Sequence, residues 1–144
     1  KETIMGKVQI LAVLTMDGCL SSELYDKAHQ DLCLDRCGLD EIRKKAFYRV
    51  TPDYSISMLH EWRKDCTNIR YLAEATPDTA DYINGLLRMH AVDEIILYTV
   101  PFISGSGRHF FKSALPEQHW TLSSLKSYPN GVCRIIYILD KKAR

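Results

Sequence analysis

The chain has 144 residues, with 19 lysines and arginines against 18 aspartates and glutamates. That length suits one average domain, here 1–144, and the near-neutral charge provides no basic field to gather nucleic-acid phosphates. The apolar runs Val8 to Leu14 and Ile135 to Leu139 fall well short of the roughly 20 residues that span a bilayer, and no secretory signal pattern opens the chain. A cytoplasmic protein with neither nucleic acid nor membrane as partner is therefore expected.

Cys19, Cys33, Cys37, Cys66 and Cys133 form an odd, scattered set, unlike the paired framework of a small secreted domain, and read as thiols. His29, Cys33 and Cys37 recur every four residues, so a helix would align them on one face, as metal ligands or as a buried stripe of small side chains. No fourth ligand is evident nearby, and no metal is expected.

In chain order, Val8 to Leu14 is apolar on both faces and reads as a central strand, ended by the turn Thr15-Met16-Asp17-Gly18. Residues 21–45 read as helical, with a break at Gly38. Short strands are expected over 46–50 and over 54–62, the latter with Ile56, Met58 and His60 on one side, and another over 69–73. Thr76-Pro77-Asp78-Thr79 is a helix start, with a capping threonine, proline in the first turn and acid near the positive end of the dipole. Ile83, Leu86 and Leu87 continue it at helical spacing, and Ile95 to Val100 is a second strand apolar on both faces. Trp120 to Tyr128 and Val132 to Leu139 flank Pro129-Asn130-Gly131, whose Asn-Gly pair signals an antiparallel hairpin. The expected architecture is α/β: a mixed, mostly parallel sheet with helices on both faces and a C-terminal antiparallel hairpin.

The line from Val92-Asp93-Glu94 through Pro101 to Ser104-Gly105-Ser106-Gly107 and Phe110 resembles a pattern of the riboflavin-biosynthesis reductases, a branch of the dihydrofolate reductase superfamily. Leu14 to Gly18 resembles their first strand and S-x-DG turn, Arg49-x-Thr51 their GR-x-T, and Trp120 to Tyr137 their closing hairpin. The resemblance implies a three-layer dihydrofolate reductase-like fold and an NADPH-dependent reductase, like the 5-amino-6-(5-phosphoribosylamino)uracil reductase of that pathway. A pyrimidine or pterin-like substrate and a homodimer are implied with it. It places Asp17 beside nicotinamide and substrate as the catalytic candidate. Arg49, Thr51, Arg63, Lys64, Thr76, Thr79, Ser104 and Gly105 become candidate cofactor contacts, with Arg63 and Lys64 following the strand expected over 54–62.

Each candidate also has a plainer reading. Asp17 can be a turn aspartate, Arg49, Thr51, Arg63 and Lys64 solvated strand-end residues, and Ser104 to Gly107 a structural loop. One departure from the family pattern carries physical weight. Relatives present a Gly-Gly pair to the cofactor pyrophosphate, whereas Ala73 to Thr79 contains no glycine, Pro77 removes an amide donor, and Glu74 and Asp78 add negative charge. The alternative is thus a non-catalytic relative serving as a ligand-binding or dimerisation module.

Overall fold

A computed structural model describes residues 6–20, 34–65, 69–105, 109–112 and 114–140. Six strands make one sheet: β1 (Lys7–Leu14), β2 (Tyr48–Arg49), β3 (Arg70–Glu74), β4 (Glu94–Thr99), β5 (Trp120–Ser127) and β6 (Cys133–Leu139), in the order β2-β3-β1-β4-β6-β5. β1 pairs in parallel with β3 on one side and β4 on the other, which explains why both of its faces are apolar. β2 extends the parallel set beside β3. The closing hairpin joins antiparallel, β6 against β4 and β5 against β6, with an irregularity between Leu122 and Ser124.

The two faces of β1 feed two cores. Val8, Ile10, Ala12 and Leu14 pack with Leu59 of helix α2 (Ile56–Asp65) and with Ile83, Leu86 and Leu87 of helix α3 (Ala80–Arg88). Leu11 faces the other way, toward Leu34 and Cys37 of a 3-10 turn (Leu34–Cys37) and Leu39 of helix α1 (Leu39–Lys45). The mixed sheet with helices on both faces and the C-terminal hairpin are present as the sequence indicates. Gly38 breaks the helical segment with φ at +84°, a left-handed conformation that glycine adopts at little cost. Residues 21–33 of that expected helical stretch lie outside the described residues.

One element differs in kind. The segment expected as a strand over 54–62 is instead helix α2, started where Ser55 Oγ accepts the Met58 N–H at 3.1 Å. Leu59 is fully buried while Met58 is 43% exposed, so the apolar contacts follow the helical spacing of Ile56, Leu59 and Trp62 rather than alternation. The strand expected over 46–50 is reduced to the two residues of β2, at the sheet edge. Among the described residues no helix is long and apolar enough to cross a membrane.

Candidate functional site

Open α/β sheets take ligands outside the carboxyl ends of their strands. Here that edge is formed by Thr15 to Asp17 after β1, Thr51 after β2, Glu74 to Thr79 at the end of β3, and Val100 to Gly105 after β4. Met16 N–H donates to the Phe102 carbonyl at 2.8 Å, lacing the loops after β1 and β4 together. Asn84 of α3 secures the following stretch, donating to the Phe110 carbonyl at 2.8 Å and accepting from the Lys112 N–H at 3.0 Å.

Asp17 joins Ser104 and Gly105 directly. Its Oδ1 accepts the Ser104 N–H at 3.1 Å and its Oδ2 the Gly105 N–H at 3.0 Å, while the Thr15 hydroxyl donates to Oδ1. The Thr15 hydroxyl, then the two amides, hold the Asp17 carboxyl well below its usual 3.8, so at neutral pH it is an anion with no proton to give. Its geometry is that of a clasp between two loops.

At the end of β3, two guanidinium groups meet one carboxylate. Arg43 Nε of α1 donates to Glu74 Oε1 at 2.8 Å, and Arg49 of β2 lies 3.7 Å from Oε2. The Arg49 side chain is 55% exposed. Arg43 escaped the sequence reading because only the fold carries α1 across to the end of β3. Its placement in a basic last turn (Arg43, Lys44, Lys45) was the one available signal. Thr51 sits in the neighbouring turn, its hydroxyl accepting the Asp53 N–H at 3.4 Å.

Thr76 and Thr79 cap each other. Thr76 N–H donates to Thr79 Oγ at 2.8 Å, Thr79 N–H donates to Thr76 Oγ at 3.2 Å, and the Thr79 hydroxyl donates to the Glu74 carbonyl at 2.9 Å. Ala75 N–H is taken by the Leu11 carbonyl and Ala80 N–H by that of Thr76. With Pro77 lacking an N–H, the amides of Ala75, Thr76, Thr79 and Ala80 are all engaged within the protein and are not presented to a pyrophosphate. The residues present do fit a phosphate group at the exposed guanidinium of Arg49.

Arg63 and Lys64 stand apart from this edge. They belong to α2, and Arg63 pairs with Asp93 at 3.2 Å beside the amino-terminal start of β1 and β4, with its side chain 11% exposed. A cleft of about 480 Å³ opens at that opposite edge, lined by His60, Arg63, His90 and Gln118 among others. It contains none of the residues gathered around Asp17 or Glu74. Of the possible metal stripe, Cys37 is buried, whereas His29 and Cys33 lie outside the described residues.

No protein-family model and no curated protein matches the chain. Solved structures do. A putative riboflavin biosynthesis protein from Shewanella sp. PV-4 aligns with a TM-score of 0.58 at 10% identity, over 94% of this chain and 99% of that one. RibD of Acinetobacter baumannii aligns with a TM-score of 0.58 at 12% identity, over 95% of this chain. The diaminohydroxyphosphoribosylaminopyrimidine deaminase/5-amino-6-(5-phosphoribosylamino)uracil reductase of Thermotoga maritima gives 0.57 at 10% identity, over 94% of this chain. The chain spans 59% and 57% of those last two proteins. At such identities the likeness is one of fold: the chain has the dihydrofolate reductase-like fold, in the form seen in proteins of riboflavin biosynthesis.

Proposed function

We propose that this chain is an NAD(P)H-dependent reductase of a phosphate-bearing heterocycle, pyrimidine or pterin-like, with its ligands at the carboxyl edge of the parallel strands. The observation that carries this reading is the half-exposed guanidinium of Arg49, held 3.7 Å from Glu74 at that edge. A planar guanidinium that is half in solvent and braced by a carboxylate is suited to a phosphate oxygen pair. Thr51, Thr76, Thr79, Ser104 and Gly105 border the same edge, while Arg63 and Lys64 have no part in it. A nicotinamide cofactor would supply hydride, and the chain's own residues would hold the ligands in place. Asp17, ionised at neutral pH, orders the loops after β1 and β4 rather than donating a proton.

A second reading is favoured by the amides. Thr76, Thr79 and Asp17 satisfy the backbone groups that a dinucleotide would seek, as expected of a relative that has kept the fold and a ligand pocket without the cofactor. Calorimetric titration with NADPH and NADH at low salt separates the two. Saturable micromolar binding, weakened by Arg49→Ala, supports the reductase; no binding up to millimolar cofactor leaves the non-catalytic reading.

A homodimer belongs to the same proposal. Leu122 and Leu125 of edge strand β5 are 52% and 63% exposed, and they pair across the hairpin with Tyr137 and Ile135, forming an apolar strip. Light scattering coupled to size exclusion should give twice the monomer mass, and Leu125→Lys should shift it to one. A monomeric wild type removes the dimer.

A further inference from the structure

We propose that Asp17 is a specificity-determining residue: its carboxylate is an internal anion that fills the amide pair of Ser104 and Gly105 and keeps ligand phosphates out of that loop. This rests on the placement of the ligand site at the carboxyl edge but concerns which group the edge accepts. Consecutive N–H groups with one residue in a left-handed conformation make a small anion-binding concavity, and Gly105 has φ at +76°. Each of the two amides meets a different oxygen of the same carboxylate, at 3.1 and 3.0 Å. An oxyanion of a phosphate would make the same pair of contacts.

The carboxylate is delivered by a fixed turn. Thr15 Oγ donates to Asp17 and accepts the Cys19 N–H at 3.1 Å, and Gly18 N–H donates to the Thr15 carbonyl at 3.0 Å. Phe110 N–H donates to the Gly18 carbonyl at 3.2 Å, and Cys19 bridges His109, so the turn is tied on both flanks to the chain that follows β4. Among the described residues, a methyl group built on Gly105 meets nothing within 4 Å. Asp17 thus withholds the two amides from a phosphate through occupancy and like charge. The Thr76 and Thr79 amides are engaged as well, while the Arg49 side chain at the same edge is 55% exposed.

The test is titration of isotope-labelled wild type, Asp17→Ala and Asp17→Asn with inorganic phosphate and with pyrophosphate, following the Ser104 and Gly105 amide resonances. In the wild type these two amides should show no saturable shift. Asp17→Ala should bind at least about tenfold more tightly there, with Asp17→Asn in between, since the amide keeps one acceptor and loses the charge. If Asp17→Ala does not fold, Asp17→Asn decides alone: a gain supports the proposal and no gain overturns it. Equal saturation in wild type and variants, or a folded Asp17→Ala with unmoved amides, also overturns it. Since the probe is inorganic phosphate at two named amides, a wild type that never binds NADPH would leave this result standing.

Discussion

Tyr98 and Tyr128 both donate their hydroxyl protons to the carbonyl oxygen of Cys37, each at 2.8 Å. One phenol comes from the parallel part of the sheet and the other from the closing hairpin, so the two halves of the sheet are anchored at one atom just before α1. A carbonyl oxygen has two lone pairs, and both are used.

Tyr98 is fully buried, and burial pushes its phenol from its usual 10.0 up to about 12. The folded state thus favours the neutral form. The stabilisation is complete below about pH 10 and is lost as pH rises toward 12. Tyr98→Phe should cost about 1 kcal/mol at neutral pH, because Tyr128 still satisfies Cys37. It should also flatten the loss of stability between those two pH values, measured by urea unfolding across an alkaline series.

Gly38 and Gly105 both have left-handed φ, +84° and +76°, yet their surroundings differ. A methyl group on Gly38 meets Arg134 Nη1 at 3.1 Å and the hydroxyl of Tyr98 at 3.5 Å, whereas one on Gly105 meets nothing within 4 Å among the described residues. Gly105→Ala should cost about 1 kcal/mol, the backbone penalty alone. Gly38→Ala should cost roughly 1 kcal/mol more, as the guanidinium must shift. Equal midpoints in denaturant would refute the crowding at Gly38.

Glu74 is shared by Arg43 and Arg49, with about a quarter of its side chain exposed. Glu74→Gln should lower stability by about 1 kcal/mol. It should at the same time tighten phosphate at Arg49, because the competing carboxylate is gone. Opposite signs in unfolding and in phosphate titration are the expected signature.

Leu59 and Met58 are neighbours in sequence with opposite fates, 0% and 43% exposed. Leu59→Ala should cost about 2–5 kcal/mol and Met58→Ala under about 1 kcal/mol. Similar costs would contradict the helical face assigned to α2.

That pair also shows where the sequence is ambiguous. Ile56, Met58 and His60 satisfy a period of two as readily as Ile56, Leu59 and Trp62 satisfy a helix, and the burial of Leu59 in the core that includes Val8 and Ile10 decides. β1, β4, the turn at Gly38 and the hairpin around Asn130-Gly131 were legible because apolar runs, left-handed glycine and Asn-Gly turns have local causes. The carboxyl-edge grouping of Asp17 with Ser104 and Gly105 was legible only as a shared edge. That one satisfies the other is a property of two loops 87 residues apart. The convergence of Arg43 and Arg49 on Glu74 has no local signature at all, since it joins three elements.

The position of β1 between β3 and β4 has a kinetic consequence. Its first residue pairs with Arg70, and its last residues pair with Tyr98 and Thr99, so this largely buried strand pairs only with strands distant in sequence. The hairpin of β5 and β6 closes across a short turn and can form at once, but β1 must wait for two long loop closures. During that interval Val8 to Leu14 is an exposed, uncharged, strand-forming segment, the kind that self-associates. Refolding yield should therefore fall with protein concentration, and a charge placed at the partly exposed Val13 should raise the yield while costing native stability.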